Sequence, residues 1–308
     1  MPYLPRRLPF VKMNGLGNDF IVVDVRSEPS WEMLLADPAA VRRLCERHRG
    51  IGADGILAIL PAETFGAVAT MRVHNADGSR AEMCGNGLRC VARFLFEQPS
   101  PGLSFSLPES ELVIDTGAGP LCCVLALPEP GVLGSIEIDM GRPSVPVPSQ
   151  VSLVVDPEMA AIELALVSMG NPHAVRFCDA ADSYESLFEL ARRFGPQIEQ
   201  HPFFAHKTNV EFVRVRDQFA SGLEVVVWER GCGITLACGT GACAAMVAAC
   251  RRGVMPFGRR CEVRLPGGAL DVTVAPDFLA VRMRGPAETV FFGEYETSSI
   301  MAPDGAAK

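Results

Sequence analysis

The chain has 308 residues, 48% of them hydrophobic and 21% charged, with a formal net charge of −8. That length suits two domains with their own cores, and the composition is that of an ordinary globular protein. The acidic balance excludes an electrostatic nucleic-acid or membrane-surface partner, and no run of about 18 apolar residues offers a membrane span. At the start, Arg6 and Arg7 are followed by Lys12, Asn14 and Asp19 rather than by an apolar run, so no signal peptide is read and a cytoplasmic location is expected.

Phe20–Val23 and Ile56–Leu60 read as strands, with a helix from Pro38 to His48 between them that puts Val41, Leu44, Cys45 and His48 on one face. His48 and Arg49 read as helix-end positive charge. A strand over Ala69–His74 precedes a helix from Asn86 to Phe96. Leu112–Ile114, Leu121–Leu125 and Ser135–Asp139 continue the strand pattern. Gly141–Pro148 carries three prolines and reads as a linker. Beyond it come a strand over Ile162–Val167, the turn signal Asn171-Pro172, and an amphipathic helix over Asp182–Phe194, capped by Asp182 or Ser183. Asn209–Val215 and Leu223–Trp228 read as strands, Thr240–Arg252 as a small-residue helix. Strands over Cys261–Leu265, Leu270–Val274, Leu279–Met283 and Thr289–Tyr295 follow, and the tail from Glu296 to Lys308 reads as frayed. The fold class expected is α+β, with two pseudo-symmetric domains, each a mostly antiparallel sheet wrapped around a central helix. The domains are set at 1–140 and 141–284, with 285–308 a closing strand, which could return to the first domain, and the tail.

The eleven cysteines include no Cys-x-x-Cys pair, which counts against zinc ribbons and thioredoxin-like motifs. Cys45, Cys90, Cys122, Cys123, Cys178, Cys243, Cys250 and Cys261 read as reduced, mostly buried thiols; Cys232 lies in a turn. The other two stand in an internal repeat. Cys84-Gly85-Asn86-Gly87 and Cys238-Gly239-Thr240-Gly241 each open a helix, and each cysteine stands nine residues after a strand end, Asn75 in one case and Glu229 in the other. Asn18 precedes Asn75 by almost the interval that separates Asn171 from Glu229.

A helix start has unpaired backbone N–H groups and the positive end of the helix dipole, so it cradles a carboxylate or phosphate. The same field should lower a cysteine pKa toward neutrality. A cysteine hydrolase gives no reason for a second matching cysteine, and a redox pair needs no anion cradle. Inversion at an amino-acid α-carbon uses both: a thiolate removes the α-proton from one face and a thiol delivers a proton to the other. N–H donors aimed at the charge developing on the carboxylate are worth roughly 3–4 kcal/mol each.

The motifs resemble those of the diaminopimelate epimerase family. They run from Lys12-Met13-Asn14-Gly15-Leu16-Gly17-Asn18-Asp19-Phe20 through Asn75-Ala76-Asp77-Gly78-Ser79, Met83–Gly87, Met169-Gly170-Asn171-Pro172-His173, Thr208–Phe212, Trp228–Gly231 and Ala237–Cys243 to Phe292-Gly293-Glu294. The resemblance implies a PLP-independent enzyme, without metal, that interconverts LL- and meso-diaminopimelate for lysine and peptidoglycan precursor synthesis, and that forms a homodimer. It implies Cys84 and Cys238 as the acid/base pair, with His173 and Glu229 biasing their protonation. Gly85, Asn86, Gly239 and Thr240 would hold the reacting carboxylate. Asn18, Asn75, Asn171, Asn209, Glu229 and Arg230 would recognise the rest of the substrate.

Three positions depart from the family's frequent residues: Gly55 for Gln, His74 for an aromatic or aliphatic residue, and Ile234 for Glu. Taken alone, Asn18 and Asn75 could be turn residues, His173 a structural histidine and Glu229-Arg230 a solvated charge pair. His201 and His206 show no ligand spacing. Two rival functions stay open: a proline or hydroxyproline racemase-type enzyme, whose family typically has His where Asn86 stands, and a thiol redox or binding protein.

Overall fold

The computed structural model describes residues 5–155, 160–179, 182–216 and 222–301. It divides into two compact units: the described residues up to Ile136 together with those from Pro286 onward, and Glu137–Gly285.

In the first unit, β1 (Arg7–Gly15) and β2 (Asn18–Asp24) pair antiparallel. Then come α1 (Ser30–Leu35), α2 (Pro38–Cys45), β3 (Gly55–Leu60), β4 (Ala69–Asn75) and the two-residue β5 (Arg80–Ala81). α3 (Gly85–Glu97), β6 (Glu109–Thr116) and β7 (Gly119–Ala126) follow, and β8 (Ser135–Asp139) leads into the second unit. That unit holds β9 (Gln150–Leu153), β10 (Ile162–Ser168), β11 (Pro172–Phe177), α4 (Tyr184–Glu199), β12 (Asn209–Val215), β13 (Gly222–Glu229) and β14 (Gly233–Ile234). It continues with α5 (Gly239–Arg251), β15 (Cys261–Leu265), β16 (Gly268–Val274) and β17 (Val281–Gly285). β18 (Glu288–Glu296) returns to the first unit and pairs antiparallel with β1; α6 (Ser298–Met301) follows it.

The two units repeat one pairing scheme. β2 runs parallel to β3 with Phe20 opposite Gly55, and β11 runs parallel to β12 with His173 opposite Asn209. β3 and β4 are antiparallel, as are β12 and β13; β4 and β13 each pair with a two-residue strand and then, in parallel, with the strand after the central helix. This register makes Asn18 equivalent to Asn171, Phe20 to His173, Gly55 to Asn209, Leu57 to Glu211 and Asn75 to Glu229.

Each unit buries both faces of its middle strands, which explains why they read as continuous apolar runs. α3 packs against β1–β4, β7 and β18, and α5 against β10–β13 and β15–β17. On the opposite face of the first unit, Trp31, Leu35, Val41 and Leu44 cover Ile21, Val23, Ile56 and Ala58. On that of the second, Leu187, Ala191, Phe194 and Ile198 of α4 cover Ala174, Val210, Phe212 and Val226. Strand alternation therefore turns Leu57 toward α3 and Glu211 toward α5.

The differences from the sequence reading have physical causes. The helix at Pro38 ends at Cys45, not His48, because the chain folds back on it: Ile51 N and Gly52 N donate to Leu44 O at 2.8 and 3.0 Å, and a Cβ at Gly50 would sit 2.1 Å from Arg43 O. His48 and Arg49 thus lie beyond the helix end. α4 runs past Gly195-Pro196 to Glu199, since Phe194 and Ile198 stay on its buried face, and Gly195 lets the Trp228 ring pack where a Cβ would be 2.5 Å away. Ser183 is the residue that caps it. β1 was hidden by Pro9, which stands in the strand where pairing with β2 has already ended. The turn read at Asn171-Pro172 joins β10 to β11, with Pro172, the first residue of β11, opposite Ser168. Leu279 lies in a turn stabilised by Leu279 N donating to Asp277 Oδ1, so that strand starts at Val281. Cys122 and Cys178 are half-buried rather than buried, and Cys232 is exposed. In the tail, strand and helix continue to Met301, and residues 302–308 lie outside the described residues.

Candidate active site

In the first unit, Cys84 is the N-cap of α3: its backbone is extended, and its Sγ accepts from Gly87 N at 3.4 Å. A cysteine here fills the role usually taken by Ser, Thr, Asp or Asn. Gly85 and Asn86 are buried in the first turn, and Cys84 is half-buried. A line of hydrogen bonds fixes their surroundings. Arg89, fully buried, donates through Nη2 to Asn86 Oδ1 at 2.9 Å and through Nε to Pro286 O at 3.0 Å. Asn86 Nδ2 donates to Asn18 Oδ1 at 3.1 Å, and Asn18 Nδ2 to Asp54 Oδ2 at 2.9 Å. Arg47 then bridges Asp54 and Asp19, and Lys12 holds Asp19 at 2.6 Å. Burial pushes the Asp19 pKa up, but Arg47 and Lys12 outweigh it and hold it at about 2. Asn75 stands apart from this line, exposed, with Nδ2 donating to Ser79 Oγ at 2.9 Å.

In the second unit, Cys238 caps α5 in the same way, its Sγ accepting from Gly241 N at 3.3 Å, but here the thiol is buried. Thr240 Oγ1 lies 3.6 Å from the sulfur and accepts from Asn171 Nδ2 at 3.4 Å. His173 is buried between two oxygens, Asn171 Oδ1 at 2.9 Å from Nε2 and Glu211 Oε1 at 2.6 Å from Nδ1. Glu229 receives hydrogen bonds from Thr235 Oγ1 and from Cys238. Asn209 donates to Pro172 O at 3.0 Å and accepts from Arg230 N at 2.9 Å. The Arg230 guanidinium is exposed and donates to His206 O at 3.1 Å. Its turn is anchored by the buried Glu199, which accepts from Trp228 Nε1, Lys207 Nζ and Gly231 N.

One expectation is corrected. The helix start does not bring the Cys238 pKa toward neutrality. Burial, then Glu229 and Glu211, push it well above the ordinary thiol value, against the opposing hydrogen bonds from Thr240 and Gly241. Burial likewise raises Glu229 and Glu211. These effects favour the protonated thiol at Cys238. The three departures are also explained in part. A side chain at Gly55 would start 2.6 Å from His74 O, so none fits this backbone. His74 is buried, and burial lowers its pKa to about 4. Ile234 packs with the α4 core.

The sequence reading passed over Glu211, Asp54 and Arg89. Glu211 had a signal: an acid in an otherwise apolar strand, Asn209–Val213. The second unit thus gathers Asn171, His173, Glu229, Cys238, Gly239 and Thr240, with Asn209 and Arg230 beside them. The first gathers Asn18, Cys84, Gly85 and Asn86, with Asn75 at the end of β4. Among the described residues no group of three or more His, Cys, Asp or Glu is placed to hold a metal ion, and no helix is long and apolar enough to cross a membrane.

Comparison with known proteins identifies the family of the chain. The family model for diaminopimelate epimerase matches residues 10–144 and 165–290. The diaminopimelate epimerase of Carboxydothermus hydrogenoformans is 42% identical over 298 residues, covering 94% of this chain and 99% of that one. That of Synechocystis sp. is 42% identical over 300 residues with the same coverage. Among solved structures, one described as a probable proline racemase from Agrobacterium radiobacter K84 superposes with a TM-score of 0.70 at 17% identity, over 97% of this chain and 94% of that one, a likeness of fold. The chain belongs to the diaminopimelate epimerase family.

Proposed function

We propose that the chain interconverts LL- and meso-2,6-diaminopimelate by a two-base proton transfer between Cys84 and Cys238. Family membership supports the reaction and substrate. The observation that carries the mechanism is the repeated cap: two cysteines, each the N-cap of its helix, each with Sγ accepting from the N–H three residues on. In the direction that starts with Cys84 as thiolate, its sulfur takes the α-proton and becomes a thiol. The electron pair left on the α-carbon delocalises into the carboxylate as an ene-diolate. Cys238 then delivers its proton to the opposite face and is left as the thiolate, poised for the reverse reaction.

Gly85, Asn86, Gly239 and Thr240 supply the helix-start donors that stabilise the ene-diolate. Asn18, Asn75, Asn171, Asn209, Glu229 and Arg230 bind the ammonium groups and the distal carboxylate. Carboxylates pair with guanidinium, ammonium with Glu, and Asn serves either. His173 and Glu229 set the thiol protonation. No PLP or metal takes part. The exposed Val290, Phe291 and Phe292 of β18 support a homodimer joined there. Eleven free cysteines favour a reducing compartment, the cytoplasm, where the product would feed lysine and peptidoglycan precursor synthesis.

Incubation with LL-diaminopimelate in deuterated water under reducing conditions, without PLP or metal, tests the reading. Deuterium should enter one α-carbon. Exchange of L-proline instead would favour the racemase-type alternative.

A further inference from the structure

We propose that Glu211 is a positioning residue for the reaction, orienting through His173, Asn171 and Thr240 a line of hydrogen bonds that ends on the Cys238 sulfur. This rests on the reading of Cys238 as one of the two proton-transfer groups.

The line is continuous within the second unit. Glu211 Oε1 meets His173 Nδ1 at 2.6 Å, His173 Nε2 meets Asn171 Oδ1 at 2.9 Å, Asn171 Nδ2 meets Thr240 Oγ1 at 3.4 Å, and Thr240 Oγ1 meets Cys238 Sγ at 3.6 Å. Its direction follows from the donor inventory. Asn171 Nδ2 can only donate, so Thr240 accepts from it and keeps its hydroxyl hydrogen for the sulfur. The Asn171 oxygen can only accept, so His173 carries a proton on Nε2. His173 Nδ1 then faces Glu211 across a bond that needs one more proton, on one partner or the other. A histidine held in one tautomer by a buried carboxyl is a known way to orient a catalytic group. Here the orientation is passed on to a hydroxyl that can stabilise the Cys238 thiolate when it forms.

The first unit shows that the fold does not require an acid at this place. Its equivalents of Glu211 and His173 are Leu57 and Phe20, both buried in the same backbone register. The helix starts confirm the equivalence. A Cβ at Gly87 would lie 2.8 Å from Leu57, and a Cβ at Gly241 would lie 3.0 Å from Glu211 Oε1 and 3.2 Å from Cys238 Sγ. Glu211 is fully buried, and its Oε2 has no hydrogen-bond partner among the described residues. A buried carboxyl is costly to keep where a leucine would fit. The titratable groups that face it are His173 on β11, Glu229 on β13 and Cys238 on α5.

The test uses the full chain with Glu211→Gln, Glu211→Leu and Cys238→Ala, with kcat and KM followed in both directions across pH. Both Glu211 variants should lose about 10²-fold in kcat with KM changed by less than about threefold. The pH-profile limb that belongs to Cys238 should move to lower pH, because a carboxyl that raises its pKa is gone. Folded Glu211 variants with wild-type kcat and pH profile would overturn the proposal while Cys238→Ala remained inactive; an active Cys238→Ala would instead overturn the two-cysteine reading itself. If neither Glu211 variant folds, ¹⁵N spectra of ring-labelled wild-type protein decide, with His173→Gln used to assign the signal. The account requires a proton on His173 Nε2 throughout the active pH range, and a ring protonated on Nδ1 alone would contradict it.

Discussion

The two half-sites share a backbone and differ in charge. In the first, Cys84 is half-buried at the mouth of α3, and the nearby polar line ends on a buried cation, Arg89. In the second, Cys238 is buried, with Glu229 and Glu211 both raising its pKa. A symmetric pair of thiols would have no preference for one protonation pattern. The duplicated frame supplies the common geometry, and two substitutions within it, Leu57 against Glu211 and Asn75 against Glu229, put carboxyls beside Cys238 that add to burial in raising its pKa.

The largest effect that tests this comparison is loss of either sulfur. Cys84→Ala and Cys238→Ala should each lower the epimerisation rate by about 10⁴-fold in both directions, measured by conversion of LL- to meso-diaminopimelate and back. A variant with near-normal turnover would show that the halves are not partners. Next come the paired glycines. Gly241→Ala should cost about 10²-fold in kcat with little change in Tm, because its methyl displaces Glu211 and the Cys238 sulfur. Gly87→Ala meets Leu57 instead, and should destabilise by about 1–3 kcal/mol in denaturant unfolding. Equal activity losses in the two would erase the asymmetry.

Smaller again is Asp54→Ala, which removes the acceptor of Asn18 Nδ2. It should raise KM about tenfold with kcat nearly unchanged, consistent with losing a charged hydrogen bond that orients a binding residue. The smallest effect is on stability. The His74 pKa falls from 6.5 to about 4 in the fold, so the unfolded chain binds its proton first. Its contribution is complete above about pH 6.5 and is lost as pH falls toward 4. His74→Val should flatten the fall in Tm across that window.

Much of this was legible in the chain. The central helices and most strands followed from apolar runs bounded by turn residues, and the two Cys-Gly-x-Gly motifs marked the helix starts that carry the chemistry. Register was not legible, because both faces of the middle strands are buried and no alternation marks the inner side. Without register, Leu57 and Glu211 cannot be seen to be equivalent, and the role of Glu211 stays hidden in Asn209–Val213. The pKa of Cys238 is hidden for a related reason: a helix start favours a thiolate, but burial, Glu229 and Glu211 oppose it more strongly, and of these only Glu229 is visible from the motif. Pro9 and Pro196 concealed β1 and the end of α4, since proline disrupts the local pattern even where tertiary packing continues the element.

The central claim is that two different sulfurs serve the two faces of one α-carbon, and isotope wash-in tests it most directly. The wild-type enzyme is given LL-diaminopimelate in deuterated water and stopped at low conversion; the experiment is then repeated from the meso side. Because the abstracted proton stays on one sulfur while the other delivers a solvent-derived deuteron, deuterium should appear in the product and be absent from recovered substrate in both directions. Deuterium entering recovered substrate as fast as product would mean that one group serves both faces, and would contradict the account.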